Sequence, residues 1–94
     1  MRYYKVRWLH QFDDEPIEMW SELDDKNNEL RKIEIYASGR FGYASYEKEF
    51  NGSKLSLFPL PDLGRINRDP QFVGEEISES SFNKIWELTK AFTK

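Results

Sequence analysis

The feature that most constrains this fold is an alternation of side chains with a period of two between residues 29 and 46. The apolar residues Ile33, Ile35 and Ala37 alternate with the more polar Glu34 and Tyr36, which predicts a strand with one buried face. The alternation resumes at Phe41 after a turn sequence that contains Gly39, as in a strand that folds back on its neighbour. The stretch therefore predicts an antiparallel hairpin at the centre of the fold.

Two further strands are predicted before this hairpin, because residues 2–9 and 17–23 alternate in the same way. In the second of them, the inner face is predicted to consist of Ile17, Met19, Ser21 and Leu23. This choice places Trp20 between Glu18 and Glu22 on the outer face. A β-bulge could instead turn Trp20 inward, and the sequence leaves that alternative open.

The end of the chain predicts a helix over residues 79–92. Ser78 is a favourable N-cap, and Phe82 and Trp86 belong to an apolar stripe at helical spacing. Asp62 is a second candidate N-cap, for one helical turn near residues 63–67. The predicted fold is a single α+β domain spanning residues 1–94: a four- or five-stranded antiparallel meander sheet with a C-terminal α-helix packed on one face.

Composition limits the classes of protein that this chain can belong to. It contains no Cys, so disulfides and thiolate metal sites are excluded. Arg2, Lys5 and Arg7 interrupt the apolar residues at the start, which does not fit a signal peptide, and we expect a cytoplasmic protein without membrane association. With 14 Lys plus Arg against 17 Asp plus Glu, the net charge of -3 argues against nucleic acid as the ligand.

One stretch of the chain is strongly acidic. Seven of the thirteen residues from Asp13 to Asp25 are acidic, and none is Lys or Arg. An exposed Trp among carboxylates suits the binding of a basic protein, because the ring supplies contact area while the acids attract Lys and Arg. The predicted partner-binding residues are Asp13, Asp14, Glu15, Glu18, Trp20, Glu22, Asp24 and Asp25.

A purely structural explanation of the same stretch stands beside this hypothesis. Lys5, Arg7 and Lys32 could pair with Glu18 and Glu22 across neighbouring strands. The remaining acids would then form a solvated face that keeps the protein soluble. Both explanations fit the sequence.

Catalysis is the alternative from another class. The single His, His10, lies three residues before Asp13, and His10 with Asp13 or Asp14 could serve a small hydrolase or nuclease. No nucleophile elbow, phosphate-binding glycine loop or set of metal ligands accompanies it. We therefore predict a non-enzymatic protein without metal or cofactor. A regulatory accessory domain is a third possibility.

The sequence resembles a family of small bacterial proteins classed as a domain of unknown function. The resemblance begins with the opening Met-Arg-Tyr-Tyr-Lys-Val-Arg-Trp and covers nearly the whole chain. It continues through Asp14, Glu15, Pro16, Ser21, Glu22, Leu23, Asp24, Arg31, Lys32, Ile33, Glu34, Ile35, Gly42, Tyr43, the segment 66–72, Glu76, Ile77, Ser78, Phe82 and Trp86.

By size, charge and setting, such proteins look like the immunity proteins encoded beside bacterial toxins, including contact-dependent growth inhibition toxins. The resemblance carries no catalytic motif with it. The likeness to immunity proteins implies a non-catalytic protein that binds and neutralises a cognate toxin domain, such as a cationic nuclease, through the acidic stretch. The oligomeric state does not follow from the sequence.

Overall fold

The computed structural model describes residues 1–92, in which an antiparallel sheet carries a C-terminal helix on one face. The predicted α+β fold is confirmed, although the sheet has six strands rather than four or five. In chain order the elements are β1 (Arg2–Trp8), β2 (Glu18–Leu23), β3 (Glu29–Ile35), β4 (Phe41–Ser45), β5 (Glu49–Phe50), α1 (Leu63–Ile66), β6 (Phe72–Glu76) and α2 (Glu79–Ala91).

The sheet order is β5-β4-β3-β2-β1-β6, so the first five strands form the predicted meander and β6 returns to the free side of β1. The alternation pattern does not predict β6, because Gly74, Glu75 and Glu76 make up most of it and all three are poor strand formers. A Cβ atom at position 74 would lie 2.9 Å from Leu63 Cδ2 of α1, so the Leu63 side chain would have to shift to accommodate a larger residue. The Asn67 side chain closes the outer edge of β6 by bonding both the N–H and the C=O of Gly74.

The first hydrophobic cluster lies between the sheet and α2. Ser78 caps the helix, as predicted, by accepting a hydrogen bond from the Ser81 N–H. Phe82 is fully buried against Tyr3, with ring centroids 5.4 Å apart. The buried members of this cluster are Tyr3, Ile33, Tyr43, Phe82 and Trp86.

A second cluster covers the opposite face of the sheet. Its buried members are Tyr4, Val6 and Leu23. The segment between β5 and β6 covers them, and within it Asp62 caps α1 as predicted. Both faces of the sheet are therefore packed, so alternation along a strand does not separate an inner face from an outer one. No helix in residues 1–92 is long and apolar enough to cross a membrane.

The pairing of β2 with β3 is irregular at one point. Arg31 lies opposite Glu22 and Glu29 lies opposite Leu23, so Leu30 is an extra residue in β3. In a regular strand, residues three apart point to opposite faces. The extra residue brings Glu29 and Lys32 to the same face, where they form an ion pair of 3.2 Å.

Candidate functional site

The loop between β1 and β2 carries the first three predicted partner-binding acids. Asp13, Asp14 and Glu15 are all exposed and lie in a turn and bend. None of their carboxylates forms an ion pair within residues 1–92. Phe12, immediately before them, leaves 62% of its surface exposed. The loop therefore presents three uncompensated negative charges beside an accessible aromatic ring.

His10 holds this loop in shape. Its Nδ1 accepts a hydrogen bond from the Phe12 N–H at 2.9 Å, and its Nε2 lies 2.8 Å from the Pro16 carbonyl oxygen. Nδ1 is therefore the unprotonated nitrogen, and Nε2–H donates to Pro16. Both nitrogens are therefore hydrogen-bonded to the backbone of this loop.

We expect His10→Ala to lower the free energy of unfolding by about 1–2 kcal/mol, because two hydrogen bonds to the backbone are lost. Urea denaturation measures this change. The Phe12 amide should also exchange with solvent faster, since its acceptor is removed. His10→Gln, which keeps a polar side chain, serves as the comparison. Unchanged stability and unchanged exchange in the Ala variant would contradict the structural role.

The prediction that Trp20 stands on an outer face is wrong. Glu18, Trp20 and Glu22 do share one face of β2, but it is the face that carries the cluster beneath α2. Trp20 is half-buried against this cluster, its Nε1–H donates to Glu18 Oε1 at 2.9 Å, and Lys5 Nζ lies 5.1 Å above its ring. Its indole is thus already packed and hydrogen-bonded within the protein, and no bulge at Trp20 is needed to turn it inward.

Glu22 is not a surface group, and its predicted outer position is also wrong. Its side chain is buried, and its two oxygens accept bonds of 2.7 and 2.8 Å from Arg31. Tyr3 donates a further hydrogen bond of 2.8 Å. The Arg31 hydrogen bonds lower the pKa of Glu22 below its ordinary value, and the Tyr3 hydrogen bond lowers it further. Burial, together with the neighbouring Glu22, raises the pKa of Tyr3 to about 12.

The turn after β2 uses Asp24 for its own structure. Asp24 Oδ1 accepts hydrogen bonds of 2.9 Å from the N–H groups of Lys26 and Asn28, and Asn27 adopts a positive φ of 62° between them. The backbone hydrogen bond from Asn28 is the main reason that the pKa of Asp24 is lowered. Such side-chain caps are typical of Asp in turns. Asp25 is exposed.

The acidic stretch therefore divides into two groups. Glu18, Glu22 and Asp24 are engaged within the protein, whereas Asp13, Asp14, Glu15 and Asp25 point charge into solvent. The alternative in which Lys5, Arg7 or Lys32 pairs with Glu18 or Glu22 is not seen within residues 1–92, where Arg31 pairs with Glu22 and Lys32 pairs with Glu29. Within residues 1–92, no three His, Asp or Glu side chains are arranged to hold a metal ion.

A second candidate site, which the sequence did not predict, is a cavity of about 450 Å³ on the sheet face opposite α2. Its walls come from β1, β2 and β3, and from the segment between β5 and β6. Prolines and leucines are frequent in that segment. Nothing in their spacing indicates that the loop leaves a space beneath it.

Comparison with known proteins identifies one family. A family model described as "Domain of unknown function (DUF6881)" matches residues 2–91. The chain has no significant match among curated proteins or among solved structures. Function therefore has to be argued from the surface of this chain.

Proposed function

Because this chain belongs to the DUF6881 family of domains of unknown function, we propose a function from its own surface: it is a non-catalytic domain that binds a cationic protein. The observation that carries the proposal is the loop 12–15, in which three uncompensated carboxylates follow an exposed aromatic ring. Like charges in succession repel one another and favour a bound cation. A basic partner supplies that cation.

The loop has the chemical parts that a protein interface uses. Phe12 supplies aromatic contact area, and Leu9 on the same connection is 50% exposed. The carboxylates steer a basic partner toward the loop and pair with its Lys and Arg side chains. Phe12 thus takes the anchoring role that the sequence assigned to Trp20, because the indole is committed to the protein's own core.

The most concrete form of this proposal is a cytoplasmic bacterial immunity protein that neutralises a cognate toxin. A toxin that cleaves nucleic acid needs a cationic substrate site to contact phosphates. An acidic loop fits such a site by charge, and an immunity protein that occupies it would exclude the substrate. Catalysis by His10 with Asp13 or Asp14 is not favoured, since both His10 nitrogens are bonded to the backbone.

Where a basic toxin domain is encoded beside this gene, the test is the rate at which that purified domain associates with this protein. We expect the variant Asp13→Asn, Asp14→Asn, Glu15→Gln to associate about tenfold more slowly at low salt, because steering is lost. The rate should also depend less on ionic strength. Stopped-flow fluorescence measures both quantities.

The matched control neutralises three exposed acids elsewhere, Glu47→Gln, Glu49→Gln and Glu87→Gln, which changes the net charge by the same amount. It should retain most of the wild-type rate. Equal slowing by the two triple variants would mean that only total charge matters. An unchanged rate in the loop variant, or a neighbouring toxin domain that does not bind at all, would overturn the proposal.

A further inference from the structure

The cavity on the sheet face opposite α2 has the size of a small-ligand site. It measures about 450 Å³, within the usual range for pockets that bind small molecules. Its apolar surface comes from Val6, Met19, Leu60, Ile66 and Phe72. An apolar molecule or an apolar part of a molecule would gain free energy by leaving water for this space.

The buried hydrogen-bond acceptor beside this space is already in use. Glu29 Oε2 accepts a bond of 2.7 Å from Ser21, and its Oε1 accepts one of 2.8 Å from the Ser56 N–H. Lys32 Nζ forms its ion pair with the same Oε1. The carboxylate of Glu29 is thus neutralised and hydrogen-bonded by its own neighbours, and it has little capacity left for a cationic ligand.

The hydrogen-bond donors around the cavity are less completely used. Lys32 makes one ion pair and no other hydrogen bond within residues 1–92, so two of its three N–H groups are available. Arg65 also lines the cavity, and its guanidinium has no ion pair in that part of the chain. Asp69, the other acid there, is exposed; it accepts one hydrogen bond from the Gln71 N–H and forms no ion pair within residues 1–92.

From the apolar walls and these two cations with unused N–H groups, we infer that the cavity binds a small amphipathic anion, a molecule with an apolar body and one carboxylate. The body occupies the apolar space, and the carboxylate meets the planar fork of Arg65 and the free N–H groups of Lys32. None of the acidic-loop residues 12–15 lines this cavity. The site is therefore separate from the proposed protein-binding loop, and each proposal can fail without the other.

Three probes with the same chain length test the charge requirement: decanoate, decanol and decylamine. Each is titrated into the ¹⁵N-labelled protein, and amide shifts are followed by NMR. We expect saturable shifts for decanoate at residues of the cavity wall, such as Met19 and Ile66, with clearly weaker binding of the other two probes. Shifts that map elsewhere, or decylamine binding as tightly as decanoate, would overturn the inference.

Two arginines three residues apart provide a matched pair of variants. Arg65→Ala should weaken decanoate binding about tenfold, because a charge-assisted hydrogen bond is lost. Arg68→Ala, which changes the net charge equally at a residue outside the cavity wall, should bind like the wild type. Equal affinities in the two variants would contradict the assigned role of Arg65. Leu60→Trp, which fills the space, should abolish decanoate binding while its amide NMR spectrum remains that of a folded protein.

Discussion

Arg31→Met is expected to lower the free energy of unfolding by about 3–5 kcal/mol, because it leaves the buried charge of Glu22 without its partner. The Arg31–Glu22 pair is shielded, with side-chain exposures of 22% and 10%. Arg31 also lies 4.9 Å from the Phe82 ring centroid and 5.1 Å from that of Trp86. Urea denaturation of the variant and of the wild type measures the loss.

The double variant Arg31→Met, Glu22→Leu separates the cost of an unpaired charge from the worth of the pair. It should recover most of the lost stability, since replacing both members of a buried pair is often neutral. A double variant as unstable as the single one would show instead that Arg31 acts through its packing on the aromatic rings. Arg7→Met, at an exposed residue of β1, is the control for changing charge alone.

The same pair gives stability a defined dependence on pH. Because the folded-state pKa of Glu22 is lowered, the unfolded chain binds more protons at acid pH. The contribution of Glu22 is complete above its unfolded pKa of about 4.3. It is lost as pH falls through the lower folded value. In Glu22→Gln this part of the acid-induced loss should be absent.

Phe82→Ala is expected to cost about 3–5 kcal/mol, the usual range for removing a fully buried ring. Phe82 is 0% exposed and lies between Tyr3 and Trp86, with ring centroid distances of 5.4 and 6.2 Å. Its removal leaves a cavity beneath α2 that these large rings cannot readily fill. The measurement is again the free energy of unfolding.

Leu88→Ala on the same helix is the matched control. Leu88 is 54% exposed, so its truncation should cost well under 1 kcal/mol. If the two variants lost similar amounts of stability, the packing of α2 on the sheet through Phe82 would be refuted.

Secondary structure followed from local patterns to a large extent. The hairpin of β3 and β4 and the caps Asp62 and Ser78 depend on residues close together in sequence. Strand β6 was missed, because Gly74 and the two Glu residues after it have no strand preference of their own. That segment becomes a strand only because the free side of β1 offers it a partner.

The candidate site was predicted less well than the fold. The sequence identified the acidic stretch, and four of its eight predicted residues lie exposed: Asp13, Asp14, Glu15 and Asp25. Alternation assigns Trp20 and Glu22 to the wrong environment, because it predicts a single buried face for this strand, the one that carries Met19 and Leu23. The opposite face is buried as well, under α2.

By itself, the sequence determined which segments alternate, where the helices begin and where negative charge accumulates, since each of these depends on neighbouring residues. Only the tertiary structure decided what covers each face of the sheet. It also decided which carboxylates form ion pairs with Lys or Arg and where a cavity remains. These outcomes depend on contacts between residues far apart in the chain, such as Glu29 with Ser56 or Arg31 with Asn83. Local periodicity carries no information about such contacts.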